Sequence, residues 1–287
     1  MAWLGLDIGG TRVKAVLCAD GTQIAAVTGD RYNRPDVKTL VRSLAAVVES
    51  VRTDSDTIDG VGLCIPGVRS DDGSHIVYAA NVPGLEGISF SDLIEGAGLR
   101  DVPLMATSDA QAASHDALGA MGLSGRTAII SIGAGVGMAV IANGKAVSHT
   151  DGGPGHIGQM DVSIGDDAPI GPDGGRGSLE GYIGAAALRT RYGDSDESIL
   201  EGLQKDPVPL CALARAIRIV HVIYRPDCVV LLGGLGHRLC ETNLDELVNN
   251  QLSTLARPGA SIRFGTDDYH AARGAANLAS IDKNMTR

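Results

Sequence analysis

Short apolar runs separated by turn residues open the chain and predict strands. We expect strands at about Trp3–Asp7, Val13–Ala19 and Gln23–Thr28. A glycine turn joins the first two, and Asp20-Gly21, a strong hairpin signal, joins the second and third. The pattern therefore predicts an antiparallel three-stranded start.

Beyond this start, helical and strand-like apolar spacings alternate along the chain, which is typical of an α/β protein. Further strands are predicted at about Gly60–Ile65, Ile76–Ala79, Val102–Ala106, Thr127–Ile132, Met138–Ala142, Asp227–Leu232 and Ser261–Phe264. Helices are predicted at about Asp36–Val51, Ser91–Gly96, Ala110–Met121, Ser178–Tyr192, Asp196–Leu203, Pro209–Tyr224, Leu244–Leu255 and His270–Ile281.

The middle of the chain repeats the order of the opening. A strand, a glycine turn at Gly133–Gly137, a second strand and an Asn143-Gly144 turn follow one another there. Gly144 lies 11 positions after Gly133, and Gly21 lies 12 positions after Gly9. Two unrelated hairpins would also produce this order, but the matched spacing favours two similar half-structures that face each other across a cleft.

Composition limits the class of protein. The 287 residues are 44% hydrophobic and carry a net charge of -10, so a full core fits and nucleic-acid binding, which needs basic patches, is not expected. The five cysteines form no CxxC pair, and Cys18, Cys64 and Cys228 lie in apolar runs as expected of small buried side chains. Without a signal-peptide or membrane-span pattern, we expect a cytoplasmic protein with no membrane partner.

The first glycine turn is the main candidate for ligand binding. Asp7 ends a strand, Gly9 and Gly10 leave the backbone N–H groups open to an anion, and Thr11 adds a hydroxyl donor. An ordinary hairpin turn without a ligand is the alternative, and taken alone the turn does not distinguish the two.

An ordered set of motifs then shows a resemblance over nearly the whole chain. In sequence order these are Asp7-Ile8-Gly9-Gly10-Thr11, Pro66-Gly67, Asn81, Ser108-Asp109-Ala110-Gln111-Ala112, Gly133-Ala134-Gly135-Val136-Gly137 and Gly233-Gly234. The set resembles the ROK family of sugar kinases. The resemblance implies the actin/hexokinase fold: two ribonuclease-H-like α/β domains with an ATP/sugar cleft between them. The expected domains are 1–108, joined by the C-terminal helix at about 270–287, and 109–269.

The resemblance also implies ATP-dependent phosphorylation of a sugar hydroxyl, commonly the 6-OH of a hexose. Asp109 aligns with the catalytic base, and a carboxylate that opens a helix after a strand can accept the hydroxyl proton. A helix N-cap is the alternative role for Asp109, and the two roles can coexist.

Further roles carry over residue by residue, and a homodimer is expected. Asp7 would hold Mg²⁺, through water. The nucleotide would contact Gly9, Gly10, Thr11, Arg12, Gly133, Ala134, Gly135, Gly233 and Gly234. The sugar would contact Asn81, Ser108, His156, Gln159 and Glu180.

Departures from the family pattern concern zinc and the sugar. The family's zinc loop, Cys-x-Cys-Gly-x-x-Gly-Cys-Leu-Glu, reads here Gly171-Pro172-Asp173-Gly174-Gly175-Arg176-Gly177-Ser178-Leu179-Glu180. A structural zinc needs about four N or S ligands, so we expect no zinc and a loop ordered by glycines and hydrogen bonds.

Three sugar positions also differ from the family. Ser108 stands where Asn is usual, His156 where Glu is usual and Gln159 where His is usual, which favours another hexose, an amino sugar or a polyol over glucose. The alternatives are a catalytically silent sugar-binding homologue and a regulator. The first strand begins by Trp3, so we expect no DNA-binding module ahead of it.

Overall fold

Two compact units make up the chain in a computed structural model that describes residues 1–52, 57–147, 156–172, 174–256 and 261–281. The first unit contains Met1–Ala117 together with the chain from Tyr269 onward, and the second contains Leu118–Asp268. This division by contacts follows Ala117, nine residues beyond the domain end predicted after residue 108; the domain assignment itself stays a prediction. Residues 282–287 of the predicted C-terminal segment lie outside the described residues.

The first unit alternates strands and helices after its opening hairpins. Its elements are β1 (Ala2–Ile8), β2 (Val13–Ala19), β3 (Thr22–Thr28), α1 (Val37–Val51), β4 (Ile58–Cys64), β5 (Val68–Arg69), β6 (Ile76–Tyr78), α2 (Phe90–Gly96), β7 (Leu104–Thr107) and most of α3 (Asp109–Ala120), whose last residues are counted with the second unit. The second unit contains β8 (Thr127–Ile132), β9 (Val136–Ala142), β10 (Lys145–Ala146), α4 (Leu179–Ile183), α5 (Ala185–Tyr192), α6 (Asp196–Lys205), α7 (Val208–Tyr224), β11 (Cys228–Leu232), α8 (Gly233–Gly236), α9 (Leu244–Gln251) and β12 (Ser261–Phe264). The last helix, α10 (His270–Ile281), belongs to the first unit.

Both units contain a five-stranded sheet with the same strand order. The orders are β3-β2-β1-β4-β7 and β10-β9-β8-β11-β12. In each sheet the first three strands are antiparallel, and the last two pair in parallel with the strand before them. The repeated motif seen in the sequence is thus a repeated sheet topology.

The two predicted hairpin turns have the same conformation. Asp20 and Gly21 have φ of 49° and 77°, and Asn143 and Gly144 have φ of 54° and 71°. Positive φ at both central residues defines the turn that matches the twist of a two-residue hairpin.

Helix α10 packs on the sheet of the first unit at two glycines. A Cβ on Gly5 of β1 or Gly62 of β4 would clash with the backbone carbonyl oxygen of Ala272 or Ala275. Gly274 of α10 approaches the backbone of Ala112 in α3 in the same manner. Helix α10 is therefore packed directly against β4 and against β1, the strand that leads into the first glycine turn.

The predicted helix over Ser178–Tyr192 is wrong as a single element. It divides at Gly184 into α4 and α5, and Gly184 has an extended ψ of 133°. The break follows from tertiary hydrogen bonding, because Ala185 and Ala186 turn their backbone N–H groups toward Gly133 and Ala134 instead of continuing the helix.

No single helix among the described residues is both long and apolar enough to cross a membrane. Helices α6 and α7 meet the length and composition criteria only as a pair, with a bend of 85° between them.

Candidate functional site

The sheet register places two carboxylates at one edge of the first unit. Asp7 of β1 pairs with Cys64 of β4, and Cys64 pairs with Thr107 of β7, all in parallel strands. Ser108 and Asp109 follow Thr107 directly. Since the carboxyl ends of parallel neighbours share an edge, Asp7 and Asp109 lie on either side of the end of β4.

Cys64 is the group between these carboxylates that the sequence did not single out as functional. Its thiol is fully buried and hydrogen-bonds the Asp7 carboxylate. Burial first, and then the negative charges of Asp7 and Asp109, raise the pKa of Cys64 well above its ordinary value. The predicted burial of this thiol is correct, but a strand pattern alone offers no signal for its two charged neighbours.

The start of α3 assigns separate roles to Ser108 and Asp109. Ser108 occupies the cap position, where its Oγ accepts the N–H of Gln111 at 3.3 Å. Asp109 is the first helical residue, and its Oδ1 accepts the N–H of Ala110 at 2.7 Å. The cap is thus made by Ser108, and Asp109 is partly exposed with an orientation fixed by its own helix.

Tyr32 holds the first glycine turn in place. Its hydroxyl donates to the carbonyl of Gly9 at 2.6 Å, and its N–H donates to the carbonyl of Thr11 at 2.9 Å. Burial and the charge of Asp7 raise the pKa of Tyr32. Within the turn, the N–H of Gly9 donates to the carbonyl of Arg12 at 3.0 Å. Tyr32 lies in a polar stretch without periodicity, so sequence reasoning missed it.

The second glycine turn is held from the side of α4 and α5. Ala185 and Ala186 donate their N–H groups to the carbonyls of Gly133 and Ala134 at 2.8 and 3.3 Å. The N–H of Gly133 donates to the carbonyl of Gly135 at 2.9 Å, and the space where a Cβ of Gly133 would project is open. The carbonyl oxygens of this turn thus already accept hydrogen bonds, and a ligand can approach the turn through the open space beside Gly133.

Glu180 accepts a backbone hydrogen bond at the end of this turn. Its side chain is 8% exposed, and its Oε2 accepts the buried N–H of Val136 at 3.0 Å. A Cβ on Gly135 or Gly158 would lie only 2.7 or 2.9 Å from the same oxygen. The carboxylate that the resemblance assigns to the sugar thus also fixes the backbone that follows Gly133–Gly135.

Gly233 and Gly234 lie at the same edge of the second sheet as the second glycine turn. Leu232, which precedes them, pairs with Ser131 of the neighbouring parallel strand. Gly233 has a φ of 85°, and a Cβ there would lie 2.7 Å from the carbonyl oxygen of Ile132. The register therefore brings the four glycines assigned to the nucleotide in the second unit to one edge.

The other sugar candidates occupy less regular positions. Asn81 is partly buried in the first unit and follows Ala80, whose carbonyl accepts from Arg34 at 2.9 Å. His156 and Gln159 are exposed at the ends of a 3₁₀ turn in the second unit, and a Cβ on Gly158 of that turn would lie 2.9 Å from Glu180 Oε2. Gly155, which opens this motif, lies outside the described residues.

Backbone hydrogen bonds order the described part of the loop that replaces the family's zinc site. Gly171 donates to the carbonyl of Gly175 at 2.8 Å, and Gly177 donates to that of Pro169 at 2.7 Å. Ser178 is buried, and its Oγ caps α4 by accepting the N–H of Gly181 at 3.1 Å. Residue 173 lies outside the description, and the described residues contain no group of three or more His, Cys, Asp or Glu side chains placed to hold a metal ion.

The residues present fit a magnesium–nucleotide ligand. Mg²⁺ is usually held by one or two carboxylates together with phosphate oxygens and water, so Asp7 alone suffices without a cluster. The buried Nε of Arg12 has no hydrogen-bond partner among the described residues, and a phosphate oxygen beside Asp7 would supply one.

Comparison with known proteins identifies the family. Residues 3–281 match the sequence profile of the ROK family. The chain belongs to the ROK family.

The chain is similar to proteins named as sugar kinases and to a transcriptional regulator. The chain is 26% identical over 266 residues to a protein of Vibrio cholerae serotype O1 named N-acetylmannosamine kinase, covering 86% of this chain and 88% of the relative. A ROK family glucokinase from Streptomyces griseus, solved with glucose and AMPPNP, superposes with a TM-score of 0.76 at 20% identity over 98% of this ROK chain and 100% of the glucokinase. A ROK family transcriptional regulator, a homologue of the E. coli MLC protein, superposes with a TM-score of 0.72 at 16% identity, covering 97% of this chain and 77% of the regulator. The predicted α/β fold of the actin/hexokinase type is thereby confirmed.

Proposed function

We propose that this ROK chain transfers the γ-phosphoryl group of ATP to a hydroxyl of a sugar, the 6-OH of a hexose or hexose derivative. One observation carries the proposal: Asp7 and Asp109 lie on either side of the end of β4, and both charges act on the buried thiol of Cys64 between them. Two carboxylates at one edge supply a base and a magnesium ligand, which are the groups that this reaction needs.

Asp109 would act as the general base. One carboxylate oxygen already accepts the N–H of Ala110, which orients the group. The partly exposed carboxylate can take the proton of the sugar hydroxyl as the hydroxyl oxygen attacks the γ-phosphorus. Proximity and charge stabilisation contribute most to such a transfer.

Asp7, Arg12 and the glycine turns would hold the nucleotide. Asp7 would bind Mg²⁺ through water, and the ion when bound would neutralise phosphate charge. Arg12 has an unsatisfied Nε to offer a phosphate oxygen, and Gly9, Gly10 and Thr11 are partly exposed. Gly133–Gly135 would contact phosphates, and Gly233-Gly234 would contact adenosine.

The sugar would be selected by residues that depart from the family pattern. We assign Asn81, Ser108, His156 and Gln159 to sugar contacts, and Glu180 to a sugar contact through the oxygen that does not bond Val136. The relatives named N-acetylmannosamine kinase make an N-acetylated amino sugar the first candidate. Buried polar groups left unpaired by a wrong sugar would discriminate strongly.

A coupled kinase assay over hexoses, N-acetyl amino sugars and polyols tests this function. We expect ATP-dependent turnover of a restricted set, lowered roughly 10²- to 10⁴-fold in kcat by Asp109→Asn while ATP still binds, since general-base catalysis contributes about that factor. Asp101→Asn, at an exposed turn of the same unit, is the matched control and should retain wild-type activity. Turnover unaffected by Asp109→Asn would refute the assignment of the base.

A catalytically silent sugar-binding or regulatory role is the second candidate. The similarity of the fold to a transcriptional regulator favours it, as do the changes at the sugar positions. This role predicts sugar binding by calorimetry without phosphorylation of any sugar in the panel.

A further inference from the structure

A pocket of about 310 Å³ lies in the second unit, away from the glycine turns. It is lined by Arg126, His221, Arg225, Pro226, Asp227 and Ala256. Its volume is at the lower end of the range for small-molecule sites, about 300–1,000 Å³. The pocket is therefore large enough for a ligand with several polar groups.

Strand direction separates this pocket from the candidate nucleotide site. Arg126 and Asp227 immediately precede β8 and β11, whereas the glycine turns follow the opposite ends of these two strands. At about 3.3 Å per residue, strands of this length place the two edges roughly 17–20 Å apart. The pocket is thus a separate place on the same sheet.

His221 lines the pocket, and its buried Nε2 is an unsatisfied polar atom. The side chain is only 2% exposed, and its Nδ1 lies 2.8 Å from the carbonyl oxygen of Ile217. A carbonyl only accepts, so Nδ1 carries a proton, and Nε2 is an acceptor when the ring holds that single proton. Nε2 has no hydrogen-bond partner in the described part of the chain. A buried polar atom without a partner is costly, so a hydroxyl donor would be favoured here.

Two arginines and one aspartate complete the polar lining. Arg126 donates one Nη1 bond to the carbonyl of Tyr224 at 2.7 Å, which leaves other guanidinium donors for a ligand. Arg225 ends α7 with a positive φ of 47° and is exposed. Asp227 accepts the backbone N–H of Arg126 through Oδ2 at 2.8 Å. The lining therefore combines a pair of phosphate-type donors with acceptors that suit hydroxyl groups.

From this arrangement we propose that the pocket binds a phosphorylated sugar or polyol. The guanidinium groups of Arg126 and Arg225 hold the phosphate, while His221 Nε2 and the Asp227 carboxylate accept hydroxyl protons. Inorganic phosphate satisfies only the arginines, and an unphosphorylated sugar satisfies only the acceptors. Binding at this pocket involves no catalysis, and the proposal is independent of the proposed kinase reaction.

Calorimetric titration of the full chain with glucose 6-phosphate, glucose and inorganic phosphate tests the proposal. The same titrations use Arg225→Gln and His221→Gln, with Arg218→Gln, an exposed arginine on the same helix that does not line the pocket, as the matched control. We expect glucose 6-phosphate to bind at least about tenfold more weakly to each pocket variant and unchanged to the control. The His221 ring signals in NMR spectra should shift on titration, and kcat at saturating substrates should stay the same in all three variants.

Several outcomes would overturn the proposal. Absence of any shift at the His221 ring, or equal binding to wild type and Arg225→Gln, would place the ligand elsewhere. Equal affinity for inorganic phosphate would refute the hydroxyl contacts. If the wild-type protein phosphorylates no sugar, that result counts against the proposed function alone, because the binding titration does not depend on catalysis.

Discussion

Substitution of Glu180 separates its contact with the second glycine turn from its proposed contact with the sugar. Glu180→Ala removes the acceptor of the buried Val136 N–H, whereas Glu180→Gln keeps an oxygen of nearly the same shape at that position. The two variants should therefore differ in stability, and they should differ in the substrate whose KM they raise.

The structure sets the size of the effect. Loss of a hydrogen bond to a charged group, with a buried N–H left unsatisfied, costs about 2–3 kcal/mol. For a protein of this size, that lowers Tm by roughly 4–12 °C at about 2–4 °C per kcal/mol. A neutral amide acceptor retains part of the bond, so Glu180→Gln should lose less than about half of this stability.

Thermal unfolding and steady-state kinetics measure both consequences. We expect Glu180→Ala to lower Tm and raise KM for ATP, because the turn at Gly133–Gly135 loses its support. Glu180→Gln should raise KM for the sugar while leaving KM for ATP close to wild type. Glu246→Ala, at an exposed glutamate on α9, is the control and should change neither quantity.

Two results would refute the reasoning. An unchanged Tm in Glu180→Ala would show that the bond to Val136 contributes nothing to stability. Equal destabilisation by Ala and Gln would show that the negative charge, rather than the acceptor geometry, supports the turn.

Four further expectations follow from other parts of the structure. Gly62→Ala should destabilise the first unit by about 1–3 kcal/mol or more in a denaturant titration, because the added methyl group overpacks against the Ala275 carbonyl. The control Gly119→Ala has open space for its Cβ and should stabilise α3 slightly. Asp116→Ala should lower the free energy of unfolding by about 3–5 kcal/mol, because His270 at 2.6 Å and Arg273 at 3.0 Å lose a buried partner. The control Asp245→Ala, at an exposed position of α9, should leave the free energy of unfolding unchanged in the same denaturation experiment. Burial raises the pKa of Cys64, so the thiol ionises at lower pH in the unfolded chain than in the folded protein. Stability from this group is therefore present below the ordinary thiol pKa of 9.0 and is lost as pH rises above it, and Cys64→Ala should flatten that decline in denaturation measured above that pH. Elemental analysis of the purified protein should find no stoichiometric zinc, and a one-to-one content would contradict our interpretation of the Gly171–Ser178 loop.

Local pattern was sufficient for most elements of this fold. Asp20-Gly21 and Asn143-Gly144 specify their own turns, because few residues adopt positive φ at two successive positions. The repeated strand and turn order correctly anticipated two sheets of the same topology. Burial of Cys18, Cys64 and Cys228 also followed from the apolar runs around them.

Tertiary structure alone decided how the candidate groups are arranged. Asp7 and Asp109 are 102 positions apart, and only the parallel register through β4 brings them to one edge. The break at Gly184 and the bond from Val136 to Glu180 likewise depend on partners far away in the chain. Sequence periodicity records which face of an element is buried, whereas these contacts depend on which elements become neighbours. The glycine turns themselves were therefore predicted from the sequence, whereas the hydrogen bonds of Tyr32 and Glu180 beside them, and the position of the Cys64 thiol next to Asp7, became visible only in the fold.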